Sequence, residues 1–334
     1  MRADQPLLRV AGLSVRFDTP DGEVRAVDCV DLVVDRGECV GLVGESGSGK
    51  SQLALALTGL LAANGRATGS VRLEGRELLG LPERELRAVR GRRIATVFQD
   101  PMTALAPHLT IGTQLVETIR AHATVDRATA RTQARDWLER VRVPDAATRL
   151  RQYPHELSGG LRQRAMIAIA LAAGPDLLVA DEPTTALDVT VQRQVLDLFR
   201  DLRRELGTAL VLITHDLGVV AGLCDRVAVM YAGRVVERAT TDRLFAAPRH
   251  PYGAGLLAAM PRVDERPDRP LGTIPGAPPD LRRPPAGCAF RPRCARAAAD
   301  CAVAPALVGD ERDAVACHRP LAGPAAVDGA PGAP

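Results

Sequence analysis

A glycine-rich segment early in this 334-residue chain reads Gly44-Glu45-Ser46-Gly47-Ser48-Gly49-Lys50-Ser51. It matches the pattern G-x-x-x-x-G-K-[ST] at every position. The run before it, residues 39–43, is apolar and typical of a buried strand, and residues 52–61 have the composition of a helix. A strand, a glycine-rich turn and a helix amino terminus direct backbone N–H groups to one point, which binds phosphate. The segment therefore predicts a nucleotide-phosphate loop, in which Lys50 reaches the β- and γ-phosphates and the Ser51 hydroxyl ligates Mg²⁺.

The composition limits the classes of protein to which the chain can belong. Hydrophobic residues make up 46% and charged residues 25%, which is enough apolar material for one large domain with an appendage, or for two domains. The net charge of +3 is too close to neutral for a general nucleic-acid binder, so we expect no nucleic-acid partner. No apolar run approaches the roughly 18 residues of a membrane helix, and the first residues lack the apolar core of a signal peptide. We expect a soluble protein that reaches a membrane only through partners.

A second apolar run ends in two acidic residues. Residues 177–180 read Leu-Leu-Val-Ala and are followed by Asp181 and Glu182. A phosphate loop needs a carboxylate on another strand to hold its metal, and Asp181 at the strand end is suited to anchor Mg²⁺. Glu182 points elsewhere and is placed to polarise the attacking water as a general base. Alone, these acids could be ordinary surface residues; together with the phosphate loop they predict a nucleoside triphosphatase.

Four further motifs lie in order along the chain. They are Gln99 in Val97-Phe98-Gln99-Asp100, the segment Leu157-Ser158-Gly159-Gly160-Leu161-Arg162-Gln163, Asp188 in Ala186-Leu187-Asp188, and His215 in Ile213-Thr214-His215-Asp216. The second resembles the L-S-G-G-x-x-Q signature of ATP-binding-cassette (ABC) ATPases, and the other three resemble the Q-loop, the D-loop and the switch histidine of that family. The ordered set covers residues 7–240.

The resemblance implies a role for each of these residues. Two ABC subunits associate head to tail, and the signature of each, here Ser158-Gly159-Gly160, closes over the ATP bound to the other. The chemistry agrees, because these small residues precede a helical run, residues 161–172, whose amino terminus suits the γ-phosphate. His215 would hydrogen-bond the γ-phosphate, and Gln99 would sense Mg²⁺ or the attacking water. Asp188, in the D-loop, would belong to the nucleotide site.

An aromatic residue near the amino terminus of such domains usually stacks on the adenine. Phe17, just before the loop at residues 18–23, is the best-placed candidate, and aromatic residues make up only 3% of the chain. Phe17 also alternates with Leu13 and Val15 along a strand, so it could equally belong to the core.

Several segments narrow the resemblance to one branch of the family. Residues 98–107, 153–157 and 180–190 resemble the ATPase subunits of dipeptide and oligopeptide importers, a group that also includes nickel importers. Residues 102–103 and 162–166 look more like the first, D-type, of the two different ATPase subunits that such importers often carry. The order of His250-Pro251-Tyr252, residues 274–279 and a cysteine cluster resembles the C-terminal region of these importers. Three positions depart from the residues usual in the family without removing a catalytic group, namely Gln52, Ala106 and Leu161.

The resemblance also implies an assembly. The chain would hydrolyse ATP to energise an importer of di- or oligopeptides or related small solutes. It would pair with a second ABC ATPase subunit, usually as a heterodimer, beneath two transmembrane permease subunits, while an extracytoplasmic substrate-binding protein delivers the solute. It would thus be peripheral, at the cytoplasmic face of the cell membrane. The alternative is a soluble, non-transport ABC ATPase of DNA repair or translation, but those usually carry a long coiled coil or two tandem cassettes, and this chain has neither.

Seven cysteines fall into two groups. Three lie in apolar surroundings and are predicted to be free and buried: Cys29, Cys39 and Cys224. Four lie close to the C terminus: Cys288, Cys294, Cys301 and Cys317. A cytosolic setting disfavours disulfides, and four thiolates suit a [4Fe–4S] cluster or tetrahedral Zn²⁺. The spacings lack the close pairs of zinc knuckles, and some relatives carry an iron–sulfur cluster at such cysteines, so the resemblance favours [4Fe–4S]; unliganded cysteines and a metal-regulated ATPase are the alternatives. We expect loss of this metal to leave the phosphate loop intact, because the α/β core folds that loop.

These interpretations combine into one fold prediction. We expect an α/β protein with four parts: an ABC-type P-loop ATPase core with an N-terminal antiparallel β region over residues 1–98 and 176–245, a helical signature subdomain over 99–175, a C-terminal extension with the four cysteines over 246–322, and a disordered tail over 323–334. Residues 111–122 and 127–142 are predicted helices, and residues 71–78 a hairpin-like turn. The order of the strands in the core does not follow from the sequence.

Overall fold

The fold is built from two β-sheets and the helices that cover them. The computed structural model describes residues 5–185, 187–260 and 272–322. The strands are, in chain order, β1 (Leu8–Thr19), β2 (Gly22–Val34), β3 (Cys39–Val43), β4 (Gly65–Leu73), β5 (Arg76–Glu77), β6 (Ile94–Val97), β7 (Leu177–Asp181), β8 (Ala209–Thr214), β9 (Arg226–Tyr231), β10 (Arg234–Thr240), β11 (Val308–Gly309) and β12 (Ala314–Val315). The helices are α1 (Lys50–Thr58), α2 (Glu83–Val89), α3 (Pro101–Ala104), α4 (Ile111–His122), α5 (Arg127–Arg140), α6 (Ala146–Arg149), α7 (Gly159–Leu171), α8 (Val189–Leu206), α9 (Leu217–Leu223), α10 (Thr241–Ala246) and α11 (Pro251–Ala258). The predicted tail over 323–334 and Ala186 of the D-loop motif lie outside the described residues.

The first sheet is antiparallel and has the order β2-β1-β4-β5. The hairpin predicted over residues 71–78 is confirmed, because β4 and β5 pair with Arg72 opposite Glu77. Leu13 and Val15 of β1 are fully buried, as their alternation predicts. This sheet covers one face of the second sheet.

The second sheet has the order β11-β12-β10-β9-β3-β8-β7-β6, and its strands from β9 to β6 are parallel. Both faces of these strands are covered, so their sequences are continuous apolar runs rather than alternating ones. In β3, Val40 and Leu42 pack in the core shared with the first sheet, whereas Cys39 and Val43 pack against the helices on the other face. Strand β8 lies between β3 and β7, which places the ends of all three at one edge of the sheet.

The helices agree with the sequence predictions apart from their ends. Helix α4 has the predicted bounds, whereas α5 ends at Arg140 instead of residue 142. Arg142 has a φ of 59°, a left-handed conformation that no helix interior accepts. Helix α1 ends at Thr58 for a similar reason, since Gly59 caps it at a φ of 65°.

Cys29 is exposed, so the prediction that it is buried was wrong. It has a φ of 53° and lies where the pairing of β1 and β2 changes register. Its N–H donates to Ser14 Oγ at 2.9 Å. An irregular residue in a strand leaves the regular pleat, so alternation no longer decides which side chain is buried. Cys39 and Cys224 are buried as predicted, with 3.5 Å between their sulfur atoms.

The C-terminal residues join the main sheet. Strand β12 pairs with β10, with Val315 opposite Glu237. Tyr231 at the end of β9 packs against Tyr252 of α11 and against Phe290, with ring centroids 4.6 and 5.2 Å apart. Because β9 lies next to β3, this aromatic cluster holds the C-terminal segment beside the phosphate loop.

Candidate functional site

The loop between β3 and α1 needs glycine at two positions for steric reasons. Gly44 has a φ of 156°, and a Cβ on it would lie 2.2 Å from the carbonyl oxygen of Met230. Gly49 has a φ of 102°, and a Cβ there would lie 2.1 Å from the carbonyl oxygen of Ala26. Both contacts are shorter than any side chain allows, so the loop packs tightly against β2 and β9. This close packing leads the backbone into α1 at the place predicted for phosphate binding.

Lys50 is held inside the loop. The side chain is 5% exposed, and its Nζ donates to the carbonyl oxygens of Gly44 and Glu45, both at 2.8 Å. Burial lowers the pKa of Lys50, while the nearby carboxylates of Glu182 and Asp181 act in the opposite direction. The ammonium group is therefore poorly solvated, and carbonyl oxygens accept its hydrogen bonds. Phosphate oxygens could replace these carbonyl oxygens as acceptors when a nucleotide binds.

Ser51 and Asp181 meet as the sequence predicts. The Ser51 hydroxyl donates to Asp181 Oδ1 at 3.1 Å, across from the end of β7. Burial raises the pKa of Asp181, so its charged form gains from a cation bound beside it. A hydroxyl and a carboxylate are the hard oxygen donors that Mg²⁺ prefers, so the residues fit that ion.

Two predicted residues, Gln99 and His215, converge on the carboxylate of Glu182. Gln99 Nε2 donates to Glu182 Oε2 at 3.1 Å, and Nδ1 of His215 lies 3.4 Å from Oε1. Thr185, which the sequence analysis did not single out, also donates to Oε2, at 2.9 Å. The convergence arises because β6, β7 and β8 are parallel neighbours, and Gln99, Glu182 and His215 follow their carboxyl ends. This group can orient a water and accept a proton from it.

The signature segment begins helix α7 and lies against helix α8. Ser158 is exposed at the amino terminus of α7 and makes no side-chain capping bond, and a Cβ on Gly159 would meet nothing within 4 Å. Gly160 is close to α8, since a Cβ on it would lie 2.7 Å from Val191 Cγ1. Asp188 caps α8 by accepting the N–H of Val191 at 2.9 Å. In the described part of the chain, no hydrogen bond joins this segment to the phosphate loop.

Phe17 lies in β1, opposite Val24 on β2 and Gly65 on β4. Its ring is partly buried against the core between the two sheets. This packing accounts for the alternation that the sequence analysis noted, and adenine stacking by Phe17 stays a prediction.

The four C-terminal cysteines surround one small cavity of about 10 Å³, which is room for a single water. Burial raises the pKa of Cys288 and of Cys317, and the neighbouring thiols act in the same direction. Cys301 is buried and accepts, through its carbonyl, the N–H of Cys288 at 3.0 Å. Even so, no group of three or more His, Cys, Asp or Glu side chains within the described ranges is arranged to hold a metal ion. The four predicted ligands are thus neighbours without forming a preformed site for a single ion.

Two residues of the C-terminal segment reach the phosphate loop, and the sequence analysis missed both. Arg293 and Tyr252 each contact Glu45. Tyr252 lies in the His-Pro-Tyr motif that the resemblance to importers drew on, but the motif gives no sign of its partner. Arg293 is 248 residues from Glu45 and carries no local signal at all.

The phosphate loop, the hydrogen-bonded pair of Ser51 and Asp181 and the Glu182 cluster together have the arrangement expected at the site of a P-loop nucleoside triphosphatase. Residues 27–185 match the family described as ABC transporter, and residues 236–301 match the family described as oligopeptide/dipeptide transporter, C-terminal region. None of the described helices is long and apolar enough to cross a membrane.

ATP-binding proteins of oligopeptide transport resemble the chain over most of its length. The oligopeptide transport ATP-binding protein OppD of Haemophilus influenzae is 53% identical over 302 residues, which cover 90% of this chain and 93% of that protein. The protein of the same name from Escherichia coli is 53% identical over 301 residues, covering 90% and 89%. The chain therefore belongs to the family of ABC ATP-binding subunits of oligopeptide transporters. It is an ABC-type ATPase, as the ordered motifs predicted, and the non-transport alternative is not favoured.

Solved structures share the fold. A dimeric ATP-binding cassette in a post-hydrolysis state, bound to ADP and phosphate, has a TM-score of 0.63 and 27% identity, covering 70% of this chain and 98% of that one. A component of an ABC transporter complex from Clostridium perfringens has a TM-score of 0.61 and 26% identity, covering 73% and 92%. The predicted fold class, an ABC-type α/β core with an antiparallel N-terminal sheet, is confirmed.

Proposed function

We propose that the chain hydrolyses ATP to drive the import of oligopeptides or dipeptides. The convergence of Gln99 and His215 on Glu182, beside a complete phosphate loop, is the observation that supports hydrolysis most directly. The names of the relatives support a peptide as the transported solute. As a subunit without a described membrane helix, the chain would act at the cytoplasmic face of the membrane, beneath two permease subunits. A substrate-binding protein on the other side would deliver the peptide.

The roles of the site residues follow from their positions. Lys50 would bind the β- and γ-phosphates, and Ser51 and Asp181 would hold Mg²⁺, which supplies neutralising charge to those phosphates when bound. Glu182 would accept the proton of the attacking water. Gln99 would hold the Glu182 carboxylate in place through Oε2, and His215, on the Oε1 side, would hydrogen-bond the γ-phosphate.

A second ATPase subunit completes the proposed site. The exposed amino terminus of α7, with Ser158, Gly159 and Gly160, is suited to close over a phosphate, yet none of its described hydrogen bonds reaches the phosphate loop of its own chain. We propose that it closes over the ATP of the other subunit, with Asp188 of the D-loop in the same interface. The dimeric state of a structural neighbour supports this arrangement, and the two-subunit pattern of peptide importers favours a heterodimer.

The permeases would be contacted by the helical part of the chain. The predicted helical subdomain, residues 99–175, contains α3 to α7 and begins at Gln99. Met102 of α3 is 40% exposed, which leaves a large apolar side chain free to meet a partner. We propose that residues 99–109 pass movement from the nucleotide site to the permeases.

The test of hydrolysis is a substitution that keeps the shape of the general base and removes its charge. In the full chain, assembled with its permeases and the second ATPase subunit, Glu182→Gln should still bind ATP while turnover falls by about a hundredfold or more. Uptake of a labelled peptide into proteoliposomes should fall with it. Glu205→Gln, which changes an exposed carboxylate at the far end of α8, serves as the matched control and should keep the parent rate. A Glu182→Gln variant that hydrolyses ATP at the parent rate would refute the assignment.

For the four C-terminal cysteines we propose a metal centre, and a [4Fe–4S] cluster rather than Zn²⁺. Support comes from the four thiols around one cavity. The cluster is favoured over zinc because the cysteine spacings lack the close pairs typical of zinc knuckles. A cavity of about 10 Å³ is too small for a cluster and would have to widen. The backbone that carries the four cysteines would therefore adopt a different conformation when the cluster is bound.

The metal proposal has a direct chemical test. Protein purified without oxygen should be brown and should contain about four iron and four sulfide per chain. Cys294→Ser should lose the colour. Cys29→Ser, which changes an exposed cysteine near the start of the chain, should keep it. Colourless protein with about one zinc per chain would show that the centre holds zinc and not a cluster. Protein with neither metal would refute the metal proposal and leave the ATPase assignment unchanged.

A further inference from the structure

A buried arginine of the C-terminal segment forms an ion pair with a residue of the phosphate loop. The two terminal nitrogens of Arg293 donate to the two carboxylate oxygens of Glu45, at 2.6 and 2.9 Å. The side chain of Arg293 is 4% exposed and that of Glu45 27%. A two-pronged pair of this kind fixes direction as well as distance, because both partners are planar. The pair joins the segment that carries the cysteines to the second residue of the phosphate loop.

Arg293 is itself fixed by its surroundings. Its Nε donates to the carbonyl oxygen of Pro275 at 2.8 Å, and a terminal nitrogen donates to that of Ile274 at 3.3 Å. The guanidinium also lies 5.8 Å from the ring centre of Tyr231 and bonds the Tyr231 hydroxyl at 3.4 Å. Because these contacts leave the arginine little freedom, its pair with Glu45 transmits the position of the segment to the loop.

Glu45 is held at three points, and one of them is the side chain of Lys50. Its N–H donates to the hydroxyl of Tyr252, a fully buried side chain of α11, at 2.8 Å. Its carboxylate binds Arg293, and its carbonyl oxygen accepts from Lys50 Nζ at 2.8 Å. A displacement of Glu45 therefore displaces an oxygen atom that positions the Lys50 ammonium.

We propose that Arg293 is a positioning residue for nucleotide binding, which acts through Glu45 to hold the phosphate loop in its binding conformation. The loop needs such a support because its glycines at positions 44, 47 and 49 give it many alternative backbone conformations. Ordering a loop before the ligand arrives lowers the entropy lost on binding, so the support increases affinity. The inference rests on the proposed binding of ATP at this loop and adds a C-terminal residue to it.

The expected signature is weaker ATP binding with little change in the chemical step. Arg293 does not reach the Glu182 cluster, so its loss should affect ground state and transition state alike, which raises KM and leaves kcat nearly unchanged. In the full chain, Arg293→Gln should raise the Kd for a fluorescent ATP analogue by about tenfold and change kcat by less than about twofold. Arg293→Lys keeps the charge and loses the paired geometry, so its Kd should lie between those of the parent and Arg293→Gln. Arg291→Gln, an exposed arginine two positions away, is the matched control and should bind as the parent does.

A double variant separates positioning from general damage. Glu45→Gln and Arg293→Gln together remove both charges from the buried pair, so the double variant should fold even if a single one does not. If Arg293 acts through Glu45, the double variant should bind ATP no more weakly than the weaker single variant. Thermal unfolding of every variant identifies those that are folded and can be compared.

Two outcomes would overturn the inference, and both differ from a failure of the proposed function. A folded Arg293→Gln variant with the Kd of the parent would show that the pair does not position the loop. Effects of the two substitutions that simply multiply would show that Arg293 does not act through Glu45. A parent chain that fails to bind ATP, or that binds it equally well after Lys50→Ala, would instead refute ATP binding at this loop.

Discussion

Acidification should destabilise the protein through one buried histidine. His250 precedes α11, is 1% exposed, and accepts the N–H of Tyr252 on its Nδ1 at 3.0 Å. A nitrogen that accepts a hydrogen bond carries no proton, so the folded protein holds this ring in its neutral form. Protonation of Nδ1 would place two donors against each other and release the start of the helix that carries Tyr252.

The size of the effect follows from the two pKa values. Burial lowers the pKa of His250 from 6.5 to about 4, against the opposite effect of a backbone hydrogen bond with Ala316. Since the folded pKa is below the unfolded one, the unfolded chain takes up the proton first as the pH falls. The stabilisation is complete above pH 6.5 and is lost towards pH 4. At about 1.4 kcal/mol per pH unit, the full loss is about 3 kcal/mol, of which about 2 kcal/mol falls between pH 7.5 and pH 5.

Urea unfolding at pH 7.5 and at pH 5 of the parent and of His250→Asn measures this loss. Asparagine has no titratable group and is a good residue at a helix amino terminus, so it can cap α11 at both pH values. The parent should lose about 2 kcal/mol more unfolding free energy on acidification than the variant does. The variant is expected to be less stable at pH 7.5, because it loses the packing of the ring against Phe290.

Only the change with pH is compared, so that offset does not affect the result. Glu237, a buried carboxylate whose pKa is raised by burial, also accepts the N–H of His250 and titrates in both proteins. Its contribution cancels in the difference between parent and variant. If both proteins lose the same free energy on acidification, His250 is not the group responsible, and the reasoning from its burial is wrong.

Three further substitutions or treatments test the site and the fold. Lys50 is the only lysine of the chain, and its ammonium group lies between two carbonyl oxygens at 2.8 Å. The wider guanidinium of Lys50→Arg should therefore reduce ATP affinity by more than about tenfold in equilibrium binding. Unchanged affinity would contradict this reasoning. Gly49→Ala places a Cβ against a backbone carbonyl at a φ of 102°, so urea unfolding should show a loss of about 1–3 kcal/mol, and an equally stable variant would speak against the loop geometry. Cys29, which is exposed, should react with a thiol reagent in the native protein, whereas Cys39 should react only after unfolding; equal rates would contradict the described sheet.

The phosphate loop and the acidic strand end could be predicted because each depends on residues that are adjacent in the sequence. The contacts of Glu182 with Gln99 and His215 could not be derived in the same way. They require β6, β7 and β8 to lie side by side, and the order of strands is set by packing between distant segments. Family resemblance supplied these three residues as a group, but only the sheet explains why they meet. Cys29 shows the opposite case, in which apolar neighbours in the sequence predict burial but a local irregularity of the strand leaves the residue exposed.

The phosphate loop and the cysteine segment are far apart in the sequence, and nothing in the sequence links them. From the sequence we therefore expect loss of a metal at the cysteines to leave the loop intact. The bidentate pair of Arg293 and Glu45 is at odds with this expectation, because Arg293 immediately precedes Cys294 and lies between it and the loop. Any change that shifts Cys294 acts on the neighbouring arginine, and through Glu45 on the oxygen that holds Lys50. ATP affinity of Cys294→Ser should therefore be measured alongside its metal content, since the α/β core folds the loop but does not alone hold it.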